Sequence, residues 1–209
     1  MKFRIDLKIL FFLVLFYFTK QLKIYLIVMF FTMLHEMTHA IVGLFLGFKL
    51  QSFEIKPLGF HINLTPVKED YEIKIRNSNL VELKYIYIAS VGPVFNLIIA
   101  TIFSSISLKY NLEIFDLITY SNLLIFIFNL IPIYPLDGGR VIRSVLNIFL
   151  GDTISHKVMK ILSNIIIFIL SFAGSVAILY LKNIAILIIL IYLWIMYFDG
   201  QRDGSFVQF

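Results

Sequence analysis

The chain contains no cysteine. Disulfides and thiolate metal sites are therefore excluded, and any metal must be held by histidine and carboxylate. Charge is also scarce, at 15% of residues, where ordinary globular chains carry roughly a quarter. That leaves too little polar sequence for a sizeable soluble domain. The net charge of +5 does not point to nucleic acid, because the lysines and arginines form no patch interleaved with aromatics. They sit at the ends of apolar segments, as expected of a protein threaded through a bilayer. No internal repeat and no low-complexity linker interrupts the sequence.

What is abundant is apolar: 60% of the 209 residues are hydrophobic, with 22 phenylalanines suited to facing lipid and packing helices. The composition is that of an all-α polytopic membrane protein. Its apolar runs are Leu7–Thr19, Ile24–Phe48, Tyr85–Leu108, Phe115–Ile133, Val158–Leu181 and Ile184–Phe198, which predicts about six transmembrane helices. The first follows Lys2 and Arg4 like a secretory signal, but no small-x-small cleavage site follows it, so it is read as a retained short span. Basic residues concentrate in alternate connections. Lys2, Arg4 and Lys8, then Lys49 to Lys84, then Arg140 to Lys160 lie on one side, and Lys20, Lys23, Lys109 and Lys182 on the other. This places both termini in the cytoplasm of a bacterial-type membrane. After the second run, Phe53–Lys56 and Phe60–Leu64 alternate apolar and polar residues around Pro57-Leu58-Gly59, which predicts a small membrane-associated β-hairpin. Tyr71–Ile75 is a candidate further strand.

Within the second run stands His35-Glu36-Met37-Thr38-His39. Histidines four apart share one helix face and can reach one metal ion, and the glutamate beside the first is placed to take a proton from a water on that metal. Three ionisable groups in a membrane-length apolar segment imply chemistry. Core histidines bonded to neighbouring helices are the bland alternative. A catalytic zinc takes three protein ligands and keeps a fourth position open. The third is sought among Glu113, Asp116, Asp152, Asp199 and Asp137. In the topology above the second and fourth runs cross in the same direction. His35, His39 and Asp137 then meet on the cytoplasmic side, while Glu113 and Asp116 lie opposite. Pro132, Pro135, Gly138 and Gly139 around Asp137 break the helix, which membrane depth tolerates only beside a cavity or inside protein. An ordinary helix stop, proline followed by an Asp-Gly turn, is the plainer reading of the same stretch. Asn129, one or two turns earlier, is a candidate oxyanion donor. The plainer role for it, and for Asn96, is interhelical hydrogen bonding.

The histidine motif, Gly92-Pro93-Val94-Phe95-Asn96 and Asn129–Arg140 together resemble the site-2 protease family of intramembrane zinc metalloproteases, peptidase family M50. The match covers roughly 24–140. Asn129–Gly139 and the six-span layout resemble the sporulation branch of that family, though no PDZ domain interrupts this chain and no CBS domain follows the last run. The resemblance implies one zinc ion on His35, His39 and Asp137, Glu36 as general base, and Asn96 and Asn129 near the substrate or the tetrahedral intermediate. It implies cleavage of a membrane-associated protein, a sporulation sigma-factor precursor, with anti-sigma factors or signal-peptide remnants as the alternative. A non-catalytic metal-binding membrane protein is the reading from a different class. Residues 1–209 are expected to form one integral membrane peptidase domain, with its catalytic core at about 24–140 and a C-terminal helical pair at about 158–198. A separate regulatory membrane partner is expected, His61 and His156 are read as loop or surface residues with a gating role for His61 as the alternative, and Arg140 and Arg143 are expected to anchor at the inner interface.

Overall fold

The computed structural model describes residues 2–56, 59–66, 78–181 and, in the last apolar run, 187, 190–191, 193–195 and 197–198. Long apolar segments fold as helices because hydrocarbon offers no partner for a backbone N–H or C=O. The helices are α1 (Lys8–Phe18), α2 (Leu22–Phe45), α3 (Ser78–Tyr110), α4 (Glu113–Leu130), α5 (Asp137–Leu150) and α6 (Asp152–Leu181). Among the described residues, α2, α3, α4 and α6 are long and apolar enough to cross a bilayer. The first apolar run forms an 11-residue helix, about 16 Å at 1.5 Å per residue, against a hydrocarbon core of about 30 Å. The sixth run is described only in part. Its helical residues lie antiparallel along α6. Trp194 Nε1 donates to Ser171 Oγ at 2.8 Å, the Tyr197 hydroxyl donates to Asn164 Oδ1, and Leu190 rests on Gly174. Phe45 (87% exposed) and Leu108 (89%) project outward, as side chains bathed in lipid do.

The expected hairpin is present as β2 (Phe48–Lys56) and β3 (Gly59–Pro66), antiparallel with an irregularity between Leu50 and Ser52. Pro57 and Leu58 of the expected turn, and the candidate strand at Tyr71–Ile75, lie outside the described residues. A third strand was not expected: β1 (Lys2–Ile5) pairs parallel with β2, so β2 is central and the order is β1-β2-β3. The basic N-terminal segment reads in sequence only as a topology signal, since four residues carry no usable alternation. The sheet lies against α2. A Cβ on Gly43 would collide with the Leu64 side chain, and Gly59 lies beside Thr32. β3 therefore runs in the same direction as the part of α2 that contains the histidine motif. Phe48, Ile62, Leu64, Val81, Tyr85 and Ile88 form the buried cluster joining sheet, α2 and α3. At Gly47 the chain turns from α2 into β2 with φ of 89°, a left-handed conformation that glycine adopts without penalty.

α5 was likewise not expected. The sequence places Asp137 at the end of a span, whereas α4 stops at Leu130 and Asp137 opens a new helix of 14 residues. The intervening segment 131–136 is held by Ile133 N–H on Ile131 O, Leu136 N–H on Ile133 O, and Tyr134 N–H on Ser163 Oγ of α6 at 3.3 Å. Ile133 and Leu136 pack on Ile167 and Tyr197. The helices after residue 150 thus brace the segment that delivers Asp137.

Candidate metal centre

One turn of α2 separates His35 from His39, and both rings point inward, 2% and 3% exposed. Asp137, 5% exposed, reaches them from the first position of α5. His35 Nε2 lies 2.9 Å from Asp137 Oδ2, His39 Nε2 lies 3.2 Å from the same oxygen, and the two Nε2 atoms are 3.1 Å apart. Among the described residues this is the group of histidine and carboxylate side chains able to hold a metal ion together. Glu113 and Asp116 are not part of it. They occupy the first turn of α4, where Asp116 Oδ1 accepts from Ser107 Oγ at 2.5 Å.

α3 supplies the wall behind the rings. His39 Nδ1 donates to the Ile88 carbonyl at 2.7 Å. A carbonyl can only accept, so the proton is on Nδ1 and the Nε2 lone pair faces Asp137 and His35. Gly92 is the surface the imidazoles lie on: a Cβ there would collide with His39 Nε2 and with Cε1 of both rings. Asn96, one turn further along α3, is fully buried, and neither polar atom of its amide has a hydrogen-bond partner among the described residues.

The donor set fits zinc. Bonds of about 2.0–2.1 Å in tetrahedral geometry hold ligand atoms about 3.3 Å apart, and the three observed separations are 2.9–3.2 Å. Two imidazole nitrogens and a carboxylate oxygen converging in a dry interior is an arrangement that a cation satisfies. The outer carboxylate oxygen, Oδ1, faces Arg140 at 3.8 Å. Glu36, beside His35, is half-buried, and the charges acting on its carboxylate are His39, His35, Asp137 and Arg140.

The remaining sequence candidates are distributed around this centre. Asn129 Nδ2 bonds back to Ile125 O of its own helix at 3.1 Å, and neither Asn129 nor Asn96 makes an interhelical hydrogen bond among the described residues. His61 is half-buried in β3, opposite Glu54. Arg140 and Arg143 depart from their expected role as interface anchors. Their side chains are only 10% and 14% exposed, Arg140 facing Asp137 and Arg143 bonding Asp152 at 3.3 Å beside the Tyr134 ring. The Ile88 carbonyl, a backbone atom, left no trace in the sequence. Gly92 did, as the glycine of the Gly92–Asn96 motif.

The family model described as peptidase family M50 matches residues 104–173. A zinc metalloprotease of Methanocaldococcus jannaschii is 26% identical over 180 residues, covering 84% of this chain and 47% of the relative. Stage IV sporulation protein FB of Bacillus subtilis is 26% identical over 129 residues, covering 59% of this chain and 40% of the relative. The chain spans less than half the length of these two relatives. The solved site-2 protease from Methanocaldococcus jannaschii superposes with a TM-score of 0.68 at 20% identity, covering 96% of this chain and 91% of that one. The fold is therefore that of a site-2 protease.

Proposed function

We propose that this chain, a member of peptidase family M50, is an intramembrane zinc endopeptidase that hydrolyses a peptide bond in or near a membrane segment of a protein substrate. The observation that carries the reading is the convergence of His35 Nε2, His39 Nε2 and Asp137 Oδ2 within 3.2 Å of one another inside an apolar bundle. These three would hold one zinc. When bound, zinc supplies Lewis acidity and lowers the pKa of its water to about 7.

Glu36 takes the proton of the attacking water and returns it to the departing amine nitrogen, which balances the hydrolysis. Nothing among the described residues hydrogen-bonds its carboxylate, so it is available for that exchange. Asn129 and Asn96 are the amides proposed to hold the substrate or its oxyanion. Asn96 is supported by a buried amide with two unused hydrogen-bonding atoms, a costly state in an apolar interior unless something binds it.

A helical substrate hides its carbonyls, so the scissile segment must unwind. β2 is central and both its edges are occupied, so the unpaired edges are those of β1 and β3, and we take β3 as the strand that pairs with the unwound segment. The packing of Leu64 on Gly43 and of Gly59 beside Thr32 supports β3, because it sets that strand along the stretch of α2 that includes His35 and His39.

The substrate proposed is a sporulation sigma-factor precursor, supported by the similarity to stage IV sporulation protein FB. Anti-sigma factors and signal-peptide remnants are the competing substrates. The charge distribution supports cytoplasmic termini and a site opening toward the cytoplasm. The test is co-expression of wild type and Glu36→Gln with tagged precursors of each class. Cleavage by wild type alone, lost on chelation, is expected. Zinc binding with no cleavage of any precursor would support the binding-only reading instead.

A further inference from the structure

α3 and α5 pack antiparallel, and their contact has two polar ends. At one end Gly92 lies against the imidazoles that Asp137 meets. At the other, Asn147 Nδ2 donates to Glu82 Oε1 at 2.7 Å. From Glu82 to Gly92 on α3, and from Asn147 back to Asp137 on α5, the interval is the same ten residues, about 15 Å of helix. Glu82 is only 6% exposed. A carboxylate buried in a membrane bundle is expensive, and nothing in the mechanism above uses it. Between the two ends, Ala89, seven residues from Glu82 on α3, and Ser144, three residues from Asn147 on α5, are buried small side chains. Apolar packing of that kind opposes separation of the helices but tolerates a slide along their axes. A hydrogen bond of fixed length does not.

We propose that Glu82 and Asn147 form a latch that sets the axial register of α5 on α3 and so fixes the depth at which Asp137 meets His35 and His39. The inference rests on the reading of those three residues as the zinc site. α3 is the common reference for the whole centre. Its Ile88 carbonyl orients His39, its Gly92 gives both rings clearance, and its Glu82 sets the distance at which α5 presents the third ligand. One residue of slippage shifts α5 by about 1.5 Å, enough to take Asp137 Oδ2 out of ligating range. Glu82 and Asn147 are thus positioning residues that act through Asp137 and touch neither metal nor substrate.

The test is zinc affinity of the purified chain in detergent or nanodiscs, read by competition with a chelating dye. Glu82→Leu and Asn147→Leu, each close in size and apolar, are expected to weaken zinc binding by about tenfold, in the range seen when support of a metal ligand is removed. Glu82→Gln keeps an acceptor oxygen for Asn147 and is expected to bind as wild type does. The same leucine variants in an Asp137→Ala background should leave affinity unchanged, because there is then no third ligand to misplace. An equal loss with and without Asp137 would mean a general loosening of the bundle and would overturn the latch. Wild-type affinity in both leucine variants would overturn it too. If the wild-type chain takes up no zinc, the metal reading itself fails and the latch with it, a result distinct from the other two.

Discussion

His39 and Ile88 are joined across two helices by a single hydrogen bond, Nδ1–H to carbonyl oxygen at 2.7 Å, with both residues buried. The bond selects one tautomer of His39 and aims its other nitrogen at Asp137. The backbone of α3 therefore determines the chemistry offered by a side chain of α2. Substituting Ile88 cannot remove the carbonyl, so the relation is tested through the residues around it.

Glu36→Gln should abolish peptide cleavage while leaving zinc affinity near the wild-type value. Loss of a general base costs about 10²–10⁴ in rate, and glutamine cannot accept the proton. Zinc content by atomic absorption, with cleavage of a tagged precursor in parallel, checks this. A variant that still cleaves at the wild-type rate removes Glu36 from the role of base.

Gly92→Ala places a methyl group where the His35 and His39 rings lie. Overpacking of this kind costs about 1–3 kcal/mol, and here it falls on the ligands. Zinc affinity should drop by at least tenfold while the chain still inserts and runs as a monodisperse species in detergent. Retained affinity would show that α3 bends away easily and does not form the wall behind the rings.

Ser163→Ala removes the acceptor for Tyr134 N–H and leaves that donor buried. An unsatisfied buried group costs about 1–3 kcal/mol. Thermal unfolding in detergent should move down by a few degrees. Because the segment leads into Asp137, zinc affinity should fall with it. Ser163→Thr keeps the hydroxyl and should restore affinity if the larger side chain fits.

Proline scanning of β3 from Phe60 to Asn63 reads the free edge. Where the N–H points outward, proline removes only an edge donor, and cleavage should fall without loss of zinc. Where it points to β2, the ladder breaks and stability falls too. Cleavage unchanged at every position would exclude strand pairing with substrate.

The sequence by itself determined the membrane class, the paired-histidine turn on α2, the hairpin after it and Asp137 as the carboxylate that meets the histidines. Each is written in a local pattern: apolar runs of spanning length, histidines at a four-residue interval, alternation around a turn, and a proline-broken segment at the right depth. Tertiary structure alone decided the rest. The parallel pairing of β1 with β2 joins residues far apart in sequence through backbone atoms, which no side-chain pattern records. α5 is only 14 residues long, too short to register in a search for spans, and it opens at Asp137 after the braced 131–136 segment. The Ile88 carbonyl and the Glu82–Asn147 bond depend on which helices become neighbours. That choice is made by packing, long after the motif that announces the site has been read.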